Sequence, residues 1–79
     1  MNPMIGSQVH FVLENEQHRP AVVVKVHSNN LVNLQVFFDA GNDDVKEKAQ
    51  PWRSNVAQGT PSKEANFYPK GTWHWPEPQ

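Results

Sequence analysis

Cysteine is absent from the 79 residues of this chain. Disulfide bonds, thiolate nucleophiles and cysteine metal ligands are therefore excluded, and the composition suits a reducing cytoplasm. An excess of one charge is absent too, because seven Lys and Arg residues face eight Asp and Glu residues, for a formal net charge of −1. Sequence-independent nucleic-acid binding is disfavoured, since the phosphate contacts that dominate such binding need a basic excess.

Long apolar runs are missing as well. None approaches the about 20 residues that a membrane-spanning helix needs, and the start Met-Asn-Pro-Met-Ile-Gly does not match a signal peptide. We therefore expect a cytoplasmic protein without a membrane partner. A chain this short lies near the lower size limit for one unaided core, so we expect a single domain over residues 1–79, with 1–6 and 77–79 frayed. The thin core, and a Phe37 ring outside the predicted inward set, favour a homo-oligomer.

Sustained helical periodicity is also lacking, whereas β-branched residues alternate with polar ones in short runs broken by Pro, Gly, Asn and Asp. This pattern predicts an all-β fold, either a small five-stranded antiparallel SH3-like barrel or a strongly twisted sheet. The predicted strands cover residues 8–13, 21–27, 31–38, 52–57 and 71–76. Residues 14–20 and 58–70 are predicted loops, and residues 39–50 a loop with one helical turn at 45–49.

Alternation along each strand predicts which side chains share a face. The clearest inward set, on the third strand, is Val32, Leu34, Val36 and Phe38. On the second strand, strict alternation predicts two sets of side chains on opposite faces. One face carries Val22, Val24 and Val26, and the other carries Val23, Lys25 and His27. Near the end of the chain, Trp73 and Trp75 are expected to share one face and His74 the opposite one.

The aromatic and cationic side chains give the strongest functional signal. Tryptophan rings suit stacking of a purine, arginine guanidinium groups suit phosphate, and a histidine can donate a hydrogen bond to phosphate or ribose. The predicted ligand-binding set is Arg19, Arg53, Trp73, His74 and Trp75. In a core this small at least one indole should instead be structural, and Trp52, beside Ser54 and Val56, is the indole expected in that role.

Metal and catalytic signatures are weak. The chain has four histidines, namely His10, His18, His27 and His74. Their spacings match no zinc motif, although three could converge in space. The acidic run at 39–44 lacks the spacing of a calcium loop, and no nucleophile elbow is present. We therefore predict no catalytic residue, no metal and no cofactor. A phosphodiesterase that uses two histidines and a lysine stays open, because it requires no sequence motif.

Four segments carry a resemblance to a known group of proteins. They are His18-Arg19-Pro20-Ala21-Val22-Val23-Val24, Val32-Asn33-Leu34-Gln35-Val36-Phe37, Asp39-Ala40-Gly41-Asn42-Asp43 and Gly71-Thr72-Trp73-His74-Trp75-Pro76. Together they make the chain similar to a family of small phage and prophage proteins. By analogy of class, the resemblance implies a non-catalytic protein in the infected bacterium that sequesters a nucleotide immune signal of cyclic or ADP-ribose type. The alternatives are an SH3-like module that docks on a host or phage protein, and a small phosphodiesterase that cleaves the signal.

Overall fold

The computed structural model describes residues 2–39, 41, 43, 45–60 and 68–76. In this part of the chain the elements are β1 (Gln8–Val12), β2 (His18–Val26), β3 (Leu31–Val36), α1 (Val45–Lys48), β4 (Trp52–Ala57) and β5 (Trp73–His74). The strands form one antiparallel sheet in the order β4-β3-β2-β1-β5. The all-β prediction is confirmed, and so is the single helical turn in the loop before β4. None of the described residues forms a helix long and apolar enough to cross a membrane.

The sheet curls into a half-barrel, because its two outer strands meet at one end. Gln58, just after β4, forms a parallel bridge with Trp73 of β5. The next residue, Gly59, donates its backbone N–H to the Trp73 carbonyl at 2.8 Å. The carbonyl of Asn30, in the turn between β2 and β3, accepts hydrogen bonds from the Gln58 N–H at 2.8 Å and from Trp73 Nε1 at 3.1 Å. These contacts join the β2–β3 turn to both outer strands.

The core lies on the inner face of the curled sheet. It contains side chains from all five strands and from the residue after β1: Val9, Phe11, Leu13, Ala21, Val23, Val32, Leu34, Val36, Val56 and Trp73. Val26, Phe38 and Trp75 pack against its margin. The inward set predicted for the third strand is confirmed, and Phe37 is exposed as expected. Trp73 is the largest fully buried side chain.

A β-bulge in β2 breaks the predicted alternation of that strand. Val23 pairs with Leu34, but the register shifts before Lys25 pairs with Asn33. The extra residue is Val24, which is 47% exposed, and Val26 then packs against the core on the same side as Val23. The prediction that Val23 and Val26 lie on opposite faces is wrong, because one inserted residue inverts every later side chain.

A second bulge, in β4, decides the position of Trp52. Val56 pairs with Val32 and Arg53 with Leu34, so three steps along β4 match two along β3. Asn55 accommodates the extra residue with a φ of 55°, a left-handed conformation that Asn tolerates. Trp52 therefore turns outward and is 72% exposed. The prediction that Trp52 is the structural indole is wrong.

The predicted strand ends are less accurate than the strands themselves. β2 begins at His18 rather than at residue 21, because His18 and Pro20 already pair with Val12 and His10 of β1. β5 has two residues where six were predicted. Residues before β1, predicted to fray, are tied to β2 by the Gly6 N–H, which donates to the Val23 carbonyl at 2.8 Å. Two predictions lie outside the described residues: the fraying of residues 77–79, and the part of the predicted loop at 61–67.

Gly59 permits the close approach of the two outer strands, and its replacement gives a test of the barrel closure. A Cβ at this position would lie 2.9 Å from Thr72 Cβ and closer still to Thr72 Oγ1. We expect Gly59→Ala to lower the free energy of unfolding by about 1–3 kcal/mol, the usual cost of overpacking. Urea unfolding monitored by circular dichroism measures the change.

Gly41→Ala is the matched control for this exchange. Its added Cβ would meet only Asp39 Oδ1, at an ordinary contact distance of 3.8 Å. We expect the Gly41 variant to unfold at the wild-type urea concentration. Equal stability of the Gly59 variant and the wild type would show that the junction between β4 and β5 is not held closely together.

Candidate functional site

Trp73 and Trp75, the two indoles predicted to stack on a ligand, have different environments. Trp73 is 0% exposed, and its Nε1 donates to the Asn30 carbonyl at 3.1 Å. Trp75 is partly buried and packs edge-on against Trp73, with ring centroids 5.5 Å apart. The buried Trp73 ring offers no open face to a base, so of these two indoles only Trp75 retains accessible surface.

Arg19, a predicted phosphate ligand, forms a bidentate ion pair with Asp43. Its Nε donates to Asp43 Oδ2 at 2.8 Å, and its Nη2 donates to Oδ1. The same guanidinium also donates to Gln17 Oε1 at 2.6 Å and to the His18 carbonyl at 2.9 Å. The Asp43 carboxylate is buried and additionally accepts the Asp39 backbone N–H at 2.6 Å. A phosphate at Arg19 would have to displace this carboxylate. The contacts of Arg19 therefore support a structural role better than a role in phosphate binding.

Arg53, the second predicted phosphate ligand, lies on the inner side of β4, opposite Leu34. Its guanidinium carbon is 5.2 Å from the centroid of the Phe11 ring and 5.9 Å from that of Phe38. Its Nε donates to the Gln50 carbonyl at 2.9 Å. These contacts hold a positive charge in a defined place at the margin of the core.

A groove runs between β4 and Gly71, two residues before β5, and Arg53 forms part of its wall. The cavity has a volume of about 320 Å³. Its described lining residues are Phe11, Gln50, Trp52, Arg53, Ser54, Asn55, Val56 and Gly71. It thus combines an exposed indole, a cation, and amide and hydroxyl groups that can form hydrogen bonds. That combination can hold a flat ring together with an anionic group.

Trp52 was not in the predicted ligand-binding set, although a sequence signal for its exposure exists. Strict alternation places Trp52 on the same face as the buried Val56, which is why a core position was predicted. Asn55 between them is a poor strand residue that tolerates positive φ, and such a residue inside a strand can mark a bulge. Reading Asn55 in this way would have moved Trp52 to the outer face.

A second group of functional side chains comes from three strands. His10 on β1 pairs with His74 on β5. His18 on β2 lies two residues before Pro20, the partner of His10, and therefore shares a face with His10. One ring nitrogen from each of these three histidines lies within 4.8 Å of the other two. We call these three residues the histidine cluster.

The histidine cluster is partly shielded from water. His74 is buried, and Tyr68 stacks on it with ring centroids 3.8 Å apart and an interplanar angle of 8°. The His18 and His74 centroids are 4.6 Å apart. The fourth histidine, His27, is exposed, and its Nε2 lies 2.9 Å from Asn33 Oδ1. His74 was predicted as a nucleotide contact from its place between two tryptophans, but the structure groups it with His10 and His18.

Comparisons of the chain with protein-family models, curated proteins and solved structures give no match. The chemistry of the groove and of the histidine cluster is therefore the basis on which a function can be assigned.

Proposed function

We propose that this protein binds a nucleotide in the groove between β4 and Gly71, with the base stacked on Trp52 and a phosphate beside Arg53. The observation that carries the proposal is that Trp52, 72% exposed on the outer face of β4, and Arg53, on its inner face, both line this groove at the edge of the sheet. Arg53 belongs to the ligand set predicted from sequence. Trp52 takes the stacking role assigned there to Trp73 or Trp75.

The size and energetics of the groove agree with this ligand class. Small-molecule sites have volumes of about 300–1,000 Å³, and the groove, at about 320 Å³, is large enough for part of a nucleotide. Stacking of one base on an aromatic ring contributes about 1–3 kcal/mol. The net charge of −1 does not prevent phosphate binding, because one local cation acts at short range. The described lining residues also supply hydrogen-bonding groups for a base or ribose.

The biological purpose follows from the sequence resemblance to small phage proteins. We propose that binding sequesters a host nucleotide immune signal, of cyclic or ADP-ribose type, in the cytoplasm of the infected bacterium. Sequestration requires affinity and no chemical step, which agrees with the sequence prediction of no catalytic residue. A homo-oligomer stays a prediction, and assembly would let two short chains enclose a larger ligand than one chain can.

Docking on a host or phage protein is a second candidate function, favoured by the outer face of the sheet. Gln35 pairs with Trp52 across β3 and β4, and Phe37 lies two residues beyond Gln35. Phe37 is 53% exposed and Trp52 72% exposed. Two large exposed aromatic rings on one face are typical of a surface that contacts another protein.

One experiment separates the function classes. The protein is incubated with cyclic dinucleotides and with ADP-ribose derivatives, free ligand is measured after filtration, and the protein is then heat-denatured. Release of intact nucleotide on heating supports sequestration. Release of a cleaved product indicates a phosphodiesterase, and no depletion of any nucleotide favours the docking module.

Trp52→Ala tests the site itself. We expect a nucleotide to bind the variant about 10–100-fold more weakly, because the loss of about 1–3 kcal/mol of stacking corresponds to about one to two decades in affinity. The melting temperature should stay close to that of the wild type, since Trp52 is largely exposed. Isothermal titration calorimetry measures the affinity.

Two further variants serve as comparisons. Trp52→Phe keeps a flat ring and should lose less affinity than Trp52→Ala. Trp75→Ala removes the other accessible indole and should leave affinity unchanged if the base stacks on Trp52. A Trp52→Ala protein that binds as tightly as the wild type, together with weakened binding by Trp75→Ala, would move the site to the C-terminal indole.

A further inference from the structure

We propose that His10, His18 and His74 form a binding site for one divalent transition-metal ion of the Zn²⁺ class. None of the three residues lines the groove, so this proposal does not depend on nucleotide binding. It goes beyond the sequence prediction of no metal, which rested on the absence of a recognised spacing. The three residues converge only because β1, β2 and β5 are neighbours in the sheet.

The geometry is close to that of a metal site. A tetrahedral ion with metal–nitrogen bonds of about 2.0–2.1 Å places its nitrogens about 3.3 Å apart. The three ring nitrogens here all lie within 4.8 Å of one another. Rotation of the partly buried His10 and His18 rings can shorten the distances between these nitrogens to the value that an ion requires. The His74 ring is already held in place by burial and by the stacked Tyr68.

The strand pairing supplies a rigid frame for the three ligands. His10 and His74 are direct cross-strand partners. His18 is attached to the same frame through the pairing of its own strand with β1. Because the backbone positions are fixed by the sheet, little ordering entropy remains to be lost when an ion binds.

The donor set selects the kind of metal. Imidazole nitrogens suit Zn²⁺, Cu²⁺ and Ni²⁺, whereas Mg²⁺ and Ca²⁺ prefer oxygen ligands. Three protein ligands leave the fourth tetrahedral position for water or an anion. We infer a Zn²⁺-type ion with one exchangeable position.

Aromatic packing is the competing explanation for the histidine cluster. It accounts for the parallel stacking of Tyr68 on His74 at 3.8 Å. It does not require one nitrogen from each of three rings to lie within 4.8 Å of the others. The two explanations differ in a measurable way, since packing alone gives no stoichiometric metal binding.

The test uses the full chain without an affinity tag of histidines. Zn²⁺ is titrated into the protein by isothermal titration calorimetry, and Co²⁺ is added in parallel as a spectroscopic probe. We expect one ion per chain, a dissociation constant in the micromolar range or tighter, and the intense visible absorption of tetrahedral Co²⁺. Zn²⁺ should also raise the melting temperature, because it binds the folded state.

Variants identify the ligands. We expect His10→Gln and His18→Gln each to weaken Zn²⁺ binding by at least about 10–100-fold. Removing only the hydrogen-bond partner of a metal ligand already costs that much affinity, and these variants remove a ligand itself. Both residues are partly buried, so the variants are expected to fold, and circular dichroism checks this. His27→Gln is the matched control, because His27 is exposed and lies outside the histidine cluster.

Three results would overturn the proposal. The first is a wild-type protein that binds no Zn²⁺ under these conditions. The second is a His10→Gln/His18→Gln double variant that binds as tightly as the wild type. The third is equal weakening by His27→Gln, which would indicate nonspecific binding to surface imidazoles.

Discussion

Trp73→Ala is expected to cost about 3–5 kcal/mol of unfolding free energy, the usual range for removing a buried Phe or Trp side chain. A chain of 79 residues has a stability of about 8 kcal/mol at roughly 0.1 kcal/mol per residue, so about half would be lost. Trp73 is fully buried, it forms the bridge to Gln58, and its indole N–H donates to the Asn30 carbonyl. Its removal leaves a cavity and weakens the junction of the outer strands.

Urea unfolding monitored by far-UV circular dichroism measures this loss. Trp52→Ala is the matched control, because it makes the same chemical change at an indole that is 72% exposed. We expect the control to change stability by no more than about 0.5 kcal/mol, as is usual for surface positions. A Trp52→Ala protein as unstable as Trp73→Ala would contradict the assignment of the two indoles.

The second large effect concerns the ion pair of Arg19 and Asp43. Asp43→Asn removes the negative charge and leaves the guanidinium without its bidentate carboxylate. We expect a larger fall in melting temperature than Gly59→Ala gives, because breaking a shielded pair leaves an uncompensated charge. Loss of the Arg19–Asp43 contact also removes one of the links between the start of β2 and the segment that follows β3, where the Phe37 N–H still donates to the Pro20 carbonyl.

The stabilisation by this ion pair depends on pH in a defined direction. The hydrogen bond from Arg19 holds the pKa of the Asp43 carboxyl below its ordinary value of 3.8. Because the pKa of Asp43 is lower in the folded state, the ion pair stabilises the protein fully at pH values above the ordinary carboxyl pKa. This stabilisation disappears as the pH falls through the folded-state pKa. The hydrogen bond to Asp43 raises the pKa of Arg19, so Arg19 stays charged throughout.

Melting temperatures of the wild type and Asp43→Asn between pH 2 and pH 7 test this dependence. The difference between the two proteins should be constant near neutral pH and should shrink as the pH falls below the ordinary carboxyl pKa of 3.8. Glu14→Gln is the control, since Glu14 is an exposed carboxylate in the loop after β1. A difference that grows in acid would contradict the ion pair as the source of the stability.

The all-β class and most of the core could be predicted from the sequence alone. Alternating Val, Leu and Phe residues specify a strand with one buried face wherever the pairing is regular, as in β3. The centre of each strand was therefore identified, and the helical turn of α1 as well. Strand ends were less accurate, because the length of β2 and β5 depends on which partner residues are available to pair.

The placement of the functional side chains was decided by the tertiary structure. The bulge at Asn55 exposes Trp52, and closure of the outer strands buries Trp73. Both reverse the roles assigned from local pattern, since strict alternation along one strand does not show where a bulge shifts the register or which strands close on each other. The same holds for groups brought together from distant parts of the chain. Arg19, for example, forms its ion pair with Asp43, which lies 24 positions later in the sequence.

The histidine cluster shows the same limit of the sequence. His10, His18 and His74 come from three strands, and no motif relates them. The residues of this chain determine which chemical groups are available: imidazoles, indoles and guanidinium groups, with no thiol. Only the pairing of β1 with both β2 and β5 brings three imidazoles together. Composition limits the possible chemistry, whereas a site requires a distance between atoms, and strand pairing sets that distance.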